Sequence, residues 1–143
     1  MSYTTSEAAL VTLIAANLTG YSTSNTKAGD DSAAFKYANL NGGNVCVLDY
    51  GGGGRDQQPS RMGNDDLWIW QCVVTFYLAY DASTIETAIR SCVDNLLTLH
   101  RDNKRLSTGD VWRVDAARAY EVVKRGDRTF VPCTFLVSFK SVI

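Results

Sequence analysis

The sequence predicts an α+β fold: a twisted, mainly antiparallel sheet with two helices packed on one face, built as a single domain over residues 1–143. Three observations lead there. Apolar residues recur at helical spacing in two stretches, Leu10–Leu18 and Ile85–Leu97. β-runs fill Asn44–Tyr50, Leu67–Tyr80, Val111–Ala119 and Val131–Val142. Their order is helix, strands, long strand, helix, strand, strand; strands joined by hairpin-like connections, with two helices to cover one face, form an α+β sandwich. A chain of 143 residues suits one domain. It buries about 68–70% of its unfolded surface and needs no staple.

Thr4-Thr5-Ser6-Glu7 carries a capping-box pattern, a hydroxyl followed three residues on by a carboxylate, and opens the first helix. Leu10, Val11, Ile14 and Leu18 make its buried stripe, and Gly20 is the stop. Residues 22–34 show no period and read as a connection, while Phe35, Tyr37 and Leu40 suggest a short edge strand. Asn44–Tyr50 is a β-run bounded by glycines on both sides. Leu67–Tyr80 is the clearest strand, with Trp68, Trp70, Cys72, Val74, Phe76, Leu78 and Tyr80 on one face. Its other face is also largely apolar, which implies cover on both sides, the second from a helix or a neighbouring subunit. Ser83-Thr84-Ile85-Glu86 is a second capping box and starts a strongly amphipathic helix that runs to about His100. Val111–Ala119 alternates Trp112, Val114 and Ala116 against Val111, Arg113, Asp115 and Ala117. After a break near Tyr120–Gly126, Val131, Cys133, Phe135, Val137 and Phe139 line one face of the last strand.

Composition excludes several functions. The net charge of −1 argues against a dedicated nucleic-acid binder and an acidic disordered tail. The start has no basic n-region and no apolar run reaches membrane-spanning length, so synthesis in the cytoplasm is the expectation and no membrane partner is. Cys46, Cys72, Cys92 and Cys133 are scattered within apolar stretches and read as buried small hydrophobes, with disulfides in an oxidising compartment left formally open. No ligand spacing suits zinc, so neither a metal nor a cofactor is expected.

The segment Gly51–Asp66 is the most unusual. It reads as a flexible loop of 16 residues between two strands, longer than a hairpin needs. Its four glycines lack the Gly-Lys-Ser/Thr and following helix of a phosphate loop. A mobile arm that orders against a partner, with Arg55 and Arg61 as polar anchors, and a loop without a role both fit. His100, the single histidine, sits where a cation suits a helix C-terminus. No nucleophile motif accompanies it, Asp30-Asp31 and Asp65-Asp66 read as solvated turn residues, and no catalytic residue or enzyme activity is expected. Charge is uneven: residues 1–66 carry four basic and seven acidic groups, whereas 101–128 carry eight and five. Unlike signs on two parts of one chain suit a solvated hairpin, head-to-tail contact between identical subunits, or a weak DNA-facing surface.

In order and spacing, the first helix through Leu10, Ile14 and Leu18, the strand Val45–Tyr50, the long loop, the strand Leu67–Tyr80, the helix Ser83–His100 and the strands Val111–Ala119 and Val131–Val142 form a familiar layout. It resembles the tail-terminator (tail-completion) proteins of long-tailed bacteriophages, which have chains of similar length. The resemblance covers nearly the whole chain and rests on no single motif. It implies a virion protein at the head–tail junction, assembled in the host cytoplasm. Such a protein forms a homo-hexameric ring on the completed tail tube, stops tube polymerisation and offers a docking surface to the head connector. Arg55, Arg61, Trp68 and Trp70 would then contact the tube or a neighbouring subunit. Arg113, Arg118, Lys124 and Arg125 fall on the penultimate hairpin, as interface residues or as lumen residues in passive contact with passing DNA. A neck or head-closure protein of the same fold is the alternative. A small ligand-binding domain or enzyme would need a concave polar pocket, and a nucleic-acid binder would show salt-sensitive affinity through Arg113 and Lys124.

Overall fold

Residues 3–25, 44–55, 67–119, 122–125 and 128–142 are described by the computed structural model. Helix α1 (Tyr3–Asn17) leads through Gly20 into β1 (Ser22–Asn25). Strand β2 (Val45–Arg55), β3 (Leu67–Ala79) and helix α2 (Ile85–Asp102) follow, then β4 (Val111–Ala119), β5 (Val123–Arg125) and β6 (Arg128–Val142). The strands form one open mixed sheet in the order β1-β2-β3-β6-β4, and β5 pairs with β6 beyond the end of β4. Only β1 and β2 run parallel; every other pair is antiparallel. This is the α+β arrangement the sequence predicts.

Both helices lie on one face. Leu10 and Ile14 of α1 and Cys92, Leu96 and Leu99 of α2 are buried against Cys46 and Leu48 of β2, the even-numbered residues Cys72–Leu78 of β3, and Cys133, Phe135, Val137 and Phe139 of β6. Each large side chain buried this way contributes about 1.5–3 kcal/mol. Register carries the same parity across the sheet, since Cys72 faces Val137 and Val74 faces Phe135. All four cysteines are buried and free. On the opposite face a smaller cluster joins Val45, Val47, Tyr77 and Phe130.

Several local expectations are corrected. Ser22–Asn25 is not part of a connection but a strand, held in parallel register by Val45–Leu48. The glycine segment does not leave the sheet at Gly51: β2 continues to Arg55, with Gly52 through Arg55 paired to Gln71 through Trp68. A β-bulge between Tyr50 and Gly52 makes that continuation possible. Val123–Arg125, within the expected break, is a strand closing a hairpin with Arg128–Phe130. Phe35, Tyr37 and Leu40 lie outside the described residues, as does most of the expected 51–66 loop.

Neither capping box forms as read. Helix α1 already includes Tyr3 and Thr4; within it Ser6 donates to the Asp110 carboxylate and Glu7 accepts from the Tyr3 hydroxyl. At α2 the Thr84 side chain makes no cap bond. Asp81 takes that place, its carboxylate accepting from the backbone and hydroxyl of Ser83 and its carbonyl from the N–H groups of Thr84 and Ile85. Glu86 pairs instead with Arg90 one turn on.

A second bulge interrupts β4. Val114 faces Val137, but Ala116 faces Leu136, so Asp115 is the extra residue. The simple alternation therefore fails there. Ala116 moves to the face of Arg113 instead of that of Trp112 and Val114, because one inserted residue reverses side-chain parity.

Candidate functional site

Two surfaces collect the residues that the sequence singles out. The first is the far end of the β2–β3 ribbon on the helix side. Trp70 faces Gly53 and Trp68 faces Arg55 in backbone register. The two indoles lie 5.4 Å apart, and the Trp70 ring stands 6.0 Å from Tyr3 and 6.5 Å from Tyr50. Tyr3 meets Tyr50 edge-on at 4.8 Å, and Tyr50 remains 45% exposed. Together they form an aromatic shelf beyond the first turn of α1.

The glycines explain how such large rings fit. A Cβ on Gly53 would stand 2.7 Å from Cε3 of Trp70 and 2.8 Å from Nε1 of Trp68, so the indoles lie across bare backbone. Gly52, at φ +121°, holds a conformation that disfavours a side chain. The glycine run opposite Trp-Ile-Trp is thus an accommodation for tryptophans. The sequence contains both halves of that signal, but their pairing across the ribbon shows only in the register.

Polar satisfaction is incomplete on this shelf. Nε1 of Trp68 and Nε1 of Trp70 are buried and have no hydrogen-bond partner among the described residues. Nε1 of the third tryptophan, Trp112, donates to the Asn103 carbonyl. An orphaned buried donor costs on the order of 1–3 kcal/mol, which makes two side by side notable. Beneath the shelf, burial raises the Tyr3 hydroxyl well above its ordinary value, with Cys72 and Glu7 adding to it. Burial likewise pushes the Cys72 thiol up to about 12. These groups stay neutral and structural at physiological pH.

The second surface is the helix-free face of the sheet. Ile69, Val73 and Thr75 of β3 lie beside Thr134 and Leu136 of β6, all half-buried. Register places Asp49, Val73, Leu136 and Ala116 in one row across four strands. A cleft of about 360 Å³ lies here, lined by Val73, Ala116, Ala117, Arg118, Thr134 and Leu136. Arg113 and Arg118 share this face on β4, and Arg113 is paired with Asp115.

The structure does not gather the basic residues into one patch. Lys124 is exposed on β5 in register with Thr129, hence on the helix-side parity of the sheet, and Arg125 pairs with Arg128 at the hairpin end. Arg113, Arg118 and Lys124 are strung along one edge and divided between its faces, and Arg125 continues β5 along the same edge. Arg55 is the last residue of β2, in line with Trp68, and Arg61 lies outside the described residues.

His100 has a structural partner. Its Nε2 is 2.8 Å from the Trp112 carbonyl oxygen and its ring meets the Trp112 indole edge-on at 4.8 Å, tying the end of α2 to β4. A further cleft of about 410 Å³ sits between the end of α1 and α2, with Asn17, Asn44 and Asn95 on its walls. Two of those amides are engaged structurally, Asn17 donating to the Leu13 carbonyl and Asn44 accepting from the Ala79 N–H. Among the described residues no group of three or more His, Cys, Asp or Glu side chains could hold a metal ion. No described helix is long and apolar enough to cross a membrane. Compared with protein-family models and with curated proteins, the chain matches none.

Proposed function

We propose that this chain is a structural subunit of a long-tailed bacteriophage virion, a tail terminator acting as a homo-hexameric ring on the tail tube. In that role it ends tube polymerisation and joins the tube to the head connector, with DNA passing through its lumen. The observation that carries this reading is the sheet itself. Two helices close one face of the β3–β6 ribbon, while Ile69, Val73 and Leu136 stay half-buried on the other. A monomer gains little from lining a sheet face with Val, Ile and Leu unless something covers it, and antiparallel sheets with one solvated face normally place polar residues there.

The edges favour association through faces and arms. The outer edge of β4 is blunted by the Asp115 bulge and by Arg113 and Arg118, features that deter edge-to-edge pairing. The start of β4 is further engaged by a bridge from Arg105 to Val111. Capping a tube requires shape complementarity and asks no catalytic group of the subunit.

Size-exclusion chromatography with light scattering, followed by electron microscopy with and without tail tubes, tests the reading. Hexameric rings, free or on tube ends, are the expected result. Removing the gene from its phage should give overlong or headless tails. Normal virions would overturn the proposal, and binding to a portal complex but not to tubes would reassign the chain to the neck.

A further inference from the structure

The four thiols are not equivalent, and two of them meet. We propose that Cys92 of α2 and Cys133 of β6 form an oxidation site, a dithiol that hydrogen peroxide converts into a disulfide fastening α2 to β6. This inference is independent of the ring reading.

The fold brings the pair to one level. Helix α2 starts just beyond Ala79, which faces Phe130, and its end is tied through His100 to Trp112, which faces Phe139. It therefore runs along β6 from the Phe130 end to the Phe139 end. Cys92 lies seven residues past Ile85, about 10 Å along a helix. Cys133 lies three residues past Phe130, about 10 Å along a strand. Both side chains are buried in the same cluster, and the Cys92 thiol donates a hydrogen bond to the Cys133 sulfur. Register holds the other thiols apart. Cys46 and Cys133 face Phe76 from opposite sides, two strand spacings or about 9–10 Å from each other. Cys72 is four residues along β3 from Phe76, about 13 Å. A disulfide needs its Cα atoms within about 7 Å, so Cys46, Cys72 and Cys133 cannot bridge among themselves.

The cleft of about 410 Å³ between the end of α1 and α2 gives a small neutral oxidant its approach. Its wall includes Ala88, one turn before Cys92, and Tyr21, whose hydroxyl donates to the Cys92 sulfur. Peroxide in that cleft is one side chain away from the pair. The donors run in one direction, from Tyr21 to Cys92 to Cys133. The hydrogen bond from Cys92 therefore holds the Cys133 thiol below its ordinary value, while Cys92 keeps its proton. Cys133 is thus the attacking sulfur. It bonds to one peroxide oxygen and the O–O bond breaks. The other oxygen leaves as hydroxide and takes the Cys133 proton as water, so that Cys133 becomes a sulfenic acid. The Cys92 sulfur attacks that sulfenic sulfur, the S–S bond forms and the S–O bond breaks. The hydroxyl leaves with the Cys92 proton as a second water. Two thiols lose two electrons, and one peroxide becomes two waters. The new bond encloses β4 and β5 between its ends, and a closure of that length restricts the unfolded chain.

The native chain tests this directly. Hydrogen peroxide in native buffer should lower its intact mass by two hydrogens and leave two of the four thiols free. A non-reducing peptide map should join the Cys92 and Cys133 peptides. The urea midpoint should rise by about 1 M and fall back after dithiothreitol. Cys92→Ser should stop at the Cys133 sulfenic acid, trapped as a dimedone adduct, and Cys133→Ser should lose no hydrogens. A native chain that keeps four free thiols, a linkage through Cys46 or Cys72, or a bond that forms only in urea would overturn the site. An oxidised chain with an unchanged or lowered midpoint would overturn the fastening.

Discussion

Two glycines, one serine and one thiol show how single residues set the limits of this molecule. At Gly53 a methyl group has nowhere to go, since both indoles stand within 3 Å of it. Gly53→Ala should therefore cost about 1–3 kcal/mol in urea denaturation. Gly52→Ala meets open space but the wrong φ, and should cost roughly 1 kcal/mol. Ser6 is fully buried and donates to Asp110 across 104 residues of sequence, fastening α1 to the turn before β4. Ser6→Ala should lower stability by about 1–3 kcal/mol, because it strips a hydrogen bond from a buried carboxylate. Cys72 is one contributor to the alkaline limit, alongside the Cys46 thiol and the Tyr3 hydroxyl, which burial also raises. Its thiol ionises at an ordinary 9.0 in the unfolded chain but near 12 in the fold. Between those values the unfolded state holds fewer protons, so stability is complete below about pH 9 and falls as pH rises toward 12. Thermal melts across that window should show a declining midpoint, and a Cys72→Ala variant a shallower decline.

At the scale of elements, α2 depends on Asp81 for its start. The Ser83 hydroxyl and backbone N–H hold the Asp81 carboxyl below its ordinary value. The stabilisation is present above the usual carboxylate range and is lost as pH falls through the lowered value. Hydrogen-exchange protection in the first turn of α2, taken relative to the intrinsic exchange rate at each pH, should fall as the Asp81 carboxylate is protonated, and Asp81→Ala should lack that protection at neutral pH. The same helix shows what a sequence reveals and what it conceals. Its 3.6-residue stripe of Ile85, Ala88, Ile89, Cys92, Val93, Leu96 and Leu97 is a local pattern, and so are the alternations of β3 and β6, which is why the fold class and most of the buried faces were legible; Leu97 proves 46% exposed, and Leu99 is buried in addition. The cap was not, because Ser83 and Glu86 satisfy the motif while a residue two positions upstream makes the bonds. The Asp115 bulge escaped for a related reason: its inserted residue is defined only against the partner strand. β1 escaped too, since Ser-Thr-Ser-Asn has no apolar signature and is a strand only because Val45–Leu48 lies beside it. For the site, Trp68 and Trp70 were visible as bulky residues in a strand, whereas their unmet donors and their seat on Gly53 required the cross-strand register.

For the whole molecule, the proposed ring has its test on the helix-free face. Leu136→Lys places a charge among Val73, Thr134 and Arg118 in the cleft on that face. A folded subunit with native circular dichroism that no longer forms rings is the expected outcome; unchanged rings would show that this face stays outside the assembly. The sheet order has one more consequence, and it concerns time. β6 is last in the chain but lies inside the sheet, between β3 and β4. Its thirteen register partners in β3, from Leu67 opposite Val142 to Ala79 opposite Phe130, are each more than fifty residues away in sequence. Such closures exact their loop entropy before any contact rewards them, so folding should be slow for the chain's size, in about the millisecond-to-second range. During synthesis β3 can pair with β2, but its other edge waits until β6 has left the ribosome. The docking of β6 is therefore the step that completes the sheet, and the rate of that closure sets how soon a finished copy exists.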